Sequence, residues 1–300
     1  MIKIGKSSSL VALRCLCCFG WIVATDFACA QDADLLPDEP GYALLAELPK
    51  PEPLPTDPGQ IEQSPANTSG ITLQREATWR SLPGDILHDQ KGLWTFPLKV
   101  AKGHYLLPVA IVIGGTAGLI YADPHAMPYF RSHQKNLDDV NDVFDPMITT
   151  GEVIALPAGL LAAGYIRHDG REVNTALLAT EAYVDSLVIN LAIKAVTRRE
   201  RPSDVPPNGD FKGTFFNGGK SPLKGSSFPS GHTTAVWSVA TVVAERYRHR
   251  GKPWVPVLAY TLATAISCSR ITEMAHFPSD VWLGASLGYT IAKYQTLSPR

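Results

Sequence analysis

The stretch SCSRITEMAHFPSD, residues 267–280, breaks a largely apolar sequence with an arginine, a histidine and an aspartate. Arg270 closes one apolar run, His276 follows six positions later, and Asp280 follows four after that. Pro278 suits the first position of a helix, where its missing N–H would have no partner anyway. Asp280 then falls in the first turn, able to reach back to His276. The stretch reads as one helix ending, a turn that carries an imidazole, and a second helix beginning.

Working outward, six apolar segments follow Tyr105, at about 105–121, 149–166, 176–196, 233–247, 254–268 and 281–293. They are rich in Ala, Leu, Val and Gly, lack the strict alternation of strands, and are long enough for helices. The expected fold is all-α, a six-helix bundle over residues 105–296, with no internal repeat. Most segments are shorter than the roughly 20 residues that cross a bilayer. Several carry charges, such as Glu181, Asp185 and Lys194, so membrane span and buried soluble helix both stay open.

The N-terminal third is organised differently. Lys3 and Lys6, an apolar run over Leu10–Ala24 and Ala28-Cys29-Ala30 read as a secretory signal over residues 1–30. Four of the five cysteines lie in that leader, leaving Cys268, so the fold relies on packing rather than an internal disulfide. Residues 31–70 are rich in Pro, Asp and Glu and read as a tether, since such composition buries too little apolar surface to fold alone. Residues 71–104 hold Trp79, Trp94 and Phe96 and read as an N-terminal packing segment of short helices. A formal charge of −1 over 300 residues gives no basic surface for nucleic acid.

Two further stretches belong with the first. KAVTRRERP, residues 194–202, closes the third segment, and Lys194 and Arg201 are seven positions apart, two helical turns on one face. By itself this also suits a solvated basic face. FPSGHTT, residues 228–234, opens the fourth segment and sets Ser230 and Gly231 where free backbone N–H groups form an anion cradle. By itself it also suits a helix cap before a surface histidine. Segments three and five end where four and six begin, so the three stretches meet at one mouth.

Cations and N–H groups converging there fit the oxygens of a phosphoryl group. His276 could attack phosphorus while Asp280 holds its other ring nitrogen, and His232 could protonate the departing oxygen. A metal held by His232, His276 and Asp280 would be opposed by three nearby cations. The acidic run DDVNDVFDP, residues 138–146, lacks the central glycine of a calcium loop.

With these residues in place the chain resembles the type 2 phosphatidic acid phosphatase (PAP2) superfamily, which includes bacterial class A acid phosphatases and vanadium haloperoxidases. The motifs Lys-x6-Arg-Pro, Pro-Ser-Gly-His and Ser-Arg-x5-His-x3-Asp stand complete at Lys194–Pro202, Pro229–His232 and Ser269–Asp280. The resemblance implies His276 as a nucleophile forming a phosphohistidine, Asp280 orienting it, and His232 as general acid. It implies Lys194, Arg201, Ser230, the Gly231 amide and Arg270 as phosphate ligands, with no metal and no cofactor.

The implied substrate is a phosphate monoester or pyrophosphate, a lipid phosphate by preference, with membrane association expected. Phe211, Phe215 and Phe216 with Lys212, Lys220 and Lys224, in the loop between Pro202 and Pro229, could receive an amphiphile; aromatics tucked inward are the alternative. Soluble phosphomonoesters, haloperoxidase chemistry and a non-catalytic lipid-phosphate-binding module are the competing readings. The leader together with the Lys and Arg distribution points to an exported site facing the periplasm, in a bundle peripheral to the membrane or incompletely spanning it.

Overall fold

The computed structural model describes residues 75–144, 146–218, 226–248 and 252–299. The expected leader over 1–30 and tether over 31–70 lie outside the described residues. Among those described, all regular structure is helical. The seven α-helices are α1 (Leu82–Ala101), α2 (Leu106–Asn141), α3 (Pro146–Arg167), α4 (Gly170–Thr197), α5 (Gly231–Arg248), α6 (Trp254–Thr272) and α7 (Pro278–Ile291). Short 3₁₀ turns occupy Asp142–Phe144 and Pro202–Asp204, and a π turn, Ala292–Thr296, extends α7.

The six expected segments are α2–α7, and the N-terminal packing segment, expected as short helices, instead carries the 20-residue helix α1. The helices outrun their apolar stretches. α2 is the largest departure, running 36 residues through Pro124 and Pro128 to Asn141. A proline inside a helix forfeits a hydrogen bond and kinks the axis without necessarily ending it, so neither proline is the stop that composition suggests.

α5 is the centre of the bundle. Its buried residues, from Thr233 and Thr234 through Trp237 to Ala244, ring the whole circumference, the signature of a core helix rather than an amphipathic one. It packs against α3, α4, α6 and α7. The main core gathers Leu178, Ala182, Val236, Trp237, Val242, Ile266 and Tyr289 around it. A second core, with Met127, Phe211, Ile271, Met274, Phe277 and Val281, lies under the turn between α6 and α7.

α5 and α7 approach closely because α7 presents glycines to its neighbour. A Cβ on Gly288 would stand 2.4 Å from the Thr234 carbonyl oxygen, and one on Gly284 would stand 2.8 Å from that of Ser230. Neither fits, since packed interiors leave no such room. This contact sets the N-terminus of α5 beside the N-terminus of α7, and so brings FPSGHTT to AHFPSD.

Among the described residues, three segments are long and apolar enough to cross a membrane: Leu106–Leu137, Gly170–Asp204 and Trp254–Thr272. In the first, only 11% of the most apolar window is buried within the protein, and Leu107, Ile113 and Tyr121 face outward. Val257, Leu258 and Leu262 do the same on α6. Apolar surface on this scale marks contact with lipid or another chain rather than water.

Candidate active site

The exit of α4 supplies the first cations. Lys194 is buried in its last turn and donates from Nζ to the Ser226 carbonyl at 2.7 Å. The helix then stops sooner than the spacing of Lys194 and Arg201 suggests. Arg198 takes a left-handed conformation (φ 42°, ψ 45°) as the C-cap, and Arg201 is extended, with ψ 150°. Arg201 is therefore not two helical turns beyond Lys194 on one face. Both nonetheless line one cavity, because the chain folds back over the helix end.

The start of α5 supplies Gly231 and His232, both lining the same cavity. Ser230, just before them, is fully buried. Its amide donates to the Asp280 carbonyl at 2.9 Å, and its hydroxyl accepts a long hydrogen bond, 3.4 Å, from the Thr233 amide. The Ser230 amide is thus committed to joining α5 to α7, and Ser230 is not among the cavity residues.

His276, in the turn before α7, is the buried floor of the cavity, 3% exposed. Its Nδ1 lies 2.7 Å from the Ser227 carbonyl oxygen and 3.6 Å from Oδ2 of Asp280. A carbonyl only accepts, so Nδ1 carries the proton in the neutral ring and Nε2 holds the lone pair. The carboxylate at 3.6 Å is beyond hydrogen-bond distance and acts on the ring through its field. Burial depresses the imidazole pKa to about 4; the cations Lys194 and Arg201 act in the same direction, while Asp280 opposes them. The ring is neutral at physiological pH.

Asp280 is held by others. Its Oδ2 accepts from the Phe277 amide at 2.8 Å, closing the first turn of α7. Its Oδ1 accepts from Nη1 of Arg199 at 2.7 Å. Arg199, 1% exposed, also donates from Nη2 to Asp123 on α2 at 2.7 Å, from Nη1 to the Ser279 hydroxyl at 2.7 Å, and from Nε to Thr214 at 3.0 Å. Its guanidinium sits 3.8 Å from the ring centre of Phe277 and 4.5 Å from that of Phe215. Asp123 accepts as well from the Ser279 hydroxyl and amide.

Sequence reasoning missed both Arg199 and Asp123. The available signal was an acid beside Pro124, just past the apolar run at the start of α2, where a buried carboxylate demands a partner. Arg199 stood unremarked among three arginines, and nothing local separates it from Arg198 or Arg201.

Arg270 stands apart from the cavity. Its Nη2 donates to Glu273 at 2.7 Å, to the Ser269 hydroxyl at 3.0 Å, and to the Phe144 carbonyl. Glu273, the C-cap residue of α6, draws the guanidinium to that side. Of the eight residues expected at the site, Lys194, Arg201, Gly231, His232 and His276 line one cavity of about 220 Å³. Asp280 stands behind His276, while Ser230 and Arg270 are turned to structural partners. The remaining wall is mostly apolar: Val153 from α3, Leu187 and Leu191 from α4, and Ala235 from α5, with Tyr183 and Asn190 among them.

The apolar wall does not come from the loop aromatics. Phe211 packs edge-on against Phe277, and Phe215 against Phe228, so both are tucked inward. Phe216 is 68% exposed, and Lys220 and Lys224 lie outside the described residues.

Fold and site together define an all-helical protein with one cationic, histidine-bearing cavity where helix ends meet. Residues 175–299 match the family model of the PAP2 superfamily. Among curated proteins, lipid A 1-phosphatase of Porphyromonas gingivalis is 38% identical over 68 residues, 23% of this chain and 15% of that protein. Glucose-6-phosphatase 3 of Mus musculus is 37% identical over 81 residues, 23% of this chain and 23% of that protein. The alignments thus span less than a quarter of either relative. A transmembrane PAP2 type phosphatidylglycerolphosphate phosphatase from Bacillus subtilis superposes with a TM-score of 0.39 and 19% identity, over 68% of this chain and 92% of that one.

Proposed function

We propose that this chain is a metal-independent phosphatase that cleaves a phosphate monoester or pyrophosphate of a lipid through a phosphohistidine at His276. The observation that carries this reading is the hydrogen bond from Nδ1 of His276 to the Ser227 carbonyl. It leaves the Nε2 lone pair as the nucleophile of a ring that shares its cavity with His232, Lys194 and Arg201.

Nε2 forms the bond to phosphorus as the phosphorus–oxygen bond to the leaving group breaks, and protonated His232 gives its proton to the departing oxygen. Water then attacks the phosphohistidine, losing its proton to His232, and the bond from phosphorus to Nε2 breaks to release phosphate. Lys194, Arg201 and the Gly231 amide offset charge on the phosphoryl oxygens, the work a metal does elsewhere. Arg270, held by Glu273 and clear of the cavity, joins them by swinging its guanidinium toward a phosphate oxygen, and Ser230 contributes by holding the α5 N-terminus in place. The wall of Val153, Leu187, Leu191 and Ala235 suits an apolar substituent on the phosphate.

The match to glucose-6-phosphatase 3 favours a second reading, a soluble phosphomonoester as substrate. In either reading the site faces the periplasm, exported by the leader, in a bundle held at the membrane by its long apolar helices.

Phosphate release from phosphatidic acid, an isoprenoid pyrophosphate, p-nitrophenyl phosphate and glucose 6-phosphate, with excess EDTA and with or without detergent, tests these readings. Preference for a lipid that depends on detergent and survives EDTA is expected. Turnover of the soluble esters alone selects the second reading. Turnover lost with EDTA and restored by a divalent ion, or absent with all four, rejects the mechanism.

A further inference from the structure

Helix α1 is amphipathic in the reverse sense to a helix in water. Its polar side faces the protein. Asp85 lies 3.3 Å and Asp89 3.8 Å from the Arg75 guanidinium, which also pairs with Glu181 on α4 at 2.7 Å. Gln90 donates to Asp185 at 2.8 Å, and Gln295 donates to Asp89 at 3.1 Å. The exposed side carries Leu87, Trp94 and Leu98, which are 72%, 57% and 64% exposed, and Trp94 Nε1 donates to Gln90 at 3.2 Å where the two sides meet. Spacings of seven and four residues put these three on one stripe.

The charges are sorted in the same way. Both acids of α1 are turned toward Arg75, whereas Lys91 and Lys99, with Lys102 just beyond the helix, are exposed. The apolar stripe also leads into a candidate membrane segment. Phe96 lies 5.9 Å, ring centre to ring centre, from Tyr105, and exposed Leu106 and Leu107 begin the segment Leu106–Leu137. α1 itself is not among the candidate spans, and its four charges explain why.

We propose that α1 lies along an anionic bilayer surface, with Leu87, Trp94 and Leu98 at the boundary between headgroups and acyl chains, and Lys91, Lys99 and Lys102 on the headgroups. This is the geometry of an interfacial helix, in which apolar side chains enter the boundary and lysine stems extend back to charge. It rests on the reading that the bundle is associated with a membrane, but on no assumption about the reaction. The ion pairs of Arg75 fix the roll of α1, so the stripe faces lipid in one orientation.

Nitroxide labels test this, one at a time, at Leu87→Cys, Trp94→Cys and Leu98→Cys, with Cys15, Cys17, Cys18, Cys29 and Cys268 changed to Ser. An Ile113→Cys label on α2 serves as the membrane control. Each protein is reconstituted in nanodiscs of phosphatidylglycerol or phosphatidylcholine, and collisions with oxygen and with a water-soluble nickel chelate are compared. The three α1 labels are expected to favour oxygen over nickel several-fold. Replacing Lys91, Lys99 and Lys102 by Gln should reduce that ratio at position 94 in phosphatidylglycerol only. Nickel-accessible α1 labels beside a lipid-exposed position 113 would overturn the inference and leave the membrane reading standing. Nickel access at position 113 as well would overturn both. Labels shielded from both reagents would show a second copy or another segment covering α1, and would also overturn it. An unchanged ratio in the Gln variant would overturn the headgroup contact.

Discussion

Arg199 and Asp280 form an ion pair 2.7 Å long from which water is excluded, with side-chain exposures of 2% and 0%. The same guanidinium reaches Asp123, 76 positions away in the chain, at 2.7 Å. One cation therefore ties α2, the exit of α4 and the start of α7 together directly behind His276. A buried pair adds little stability over an apolar substitute, but deleting one partner leaves uncompensated charge.

Arg199→Ala should therefore cost about 3–5 kcal/mol of stability, since two carboxylates lose their common partner. Arg199→Lys should fold but turn over slowly, because a single ammonium cannot bridge both carboxylates in the geometry of a guanidinium. Thermal unfolding in detergent alongside phosphate release checks both. An Arg199→Ala protein within about 1 kcal/mol of wild type would show that the pair is not what holds these helices.

The depressed pKa of His276 predicts the acid side of the rate profile. The ring must be neutral to attack, so kcat/KM should persist through the ordinary imidazole range and fall only near pH 4. Stability has the opposite dependence on burial. The unfolded chain takes up this proton from about pH 6.5 downward and the folded chain only near 4, so the native state loses stability across that window as pH falls. Denaturant unfolding at several pH values, with His276→Gln lacking this loss, tests the linkage. An acid limb near 6.5 in both wild type and the His232 variant would refute the buried neutral nucleophile.

The two histidines should separate by leaving group. His276→Ala is expected to keep less than about a hundredth of the wild-type rate on every substrate, since no neighbouring group replaces a nucleophile. His232→Ala should slow an alkyl phosphate far more than p-nitrophenyl phosphate, whose leaving group departs without a proton. Equal losses on the two esters would remove His232 from the acid role.

Gly284→Val should disturb the site from outside it. Its Cβ would meet the Ser230 carbonyl oxygen at 2.8 Å, forcing α7 away from the start of α5. Overpacking of this kind costs about 1–3 kcal/mol. KM is expected to rise along with the loss of melting temperature, since Gly231 and His232 move with that helix end. A variant that melts early but binds substrate normally would show the helix contact to be structural only.

The helices and their meeting ends were legible because both are local properties. Apolar segments, Pro278 at a first helical position, and the paired starts and stops of the segments are written in neighbouring residues. Cations and histidines at those ends were legible for the same reason. The length of α2 was not, since Pro124 and Pro128 look locally like stops. Nor was the true route of Arg201 into the cavity, which depends on the left-handed cap at Arg198 rather than on helical spacing.

By itself, then, the sequence determined an all-helical bundle and the residues that crowd its mouth, because helix periodicity and capping act within a few positions. The tertiary structure decided which atoms those residues engage. It gave Nδ1 of His276 to a carbonyl 49 positions away and Asp280 to Arg199, and it turned Arg270 to Glu273. It also set the polar side of α1 inward. Burial makes each such choice compulsory, since a polar group removed from water must find a partner wherever the packing places one.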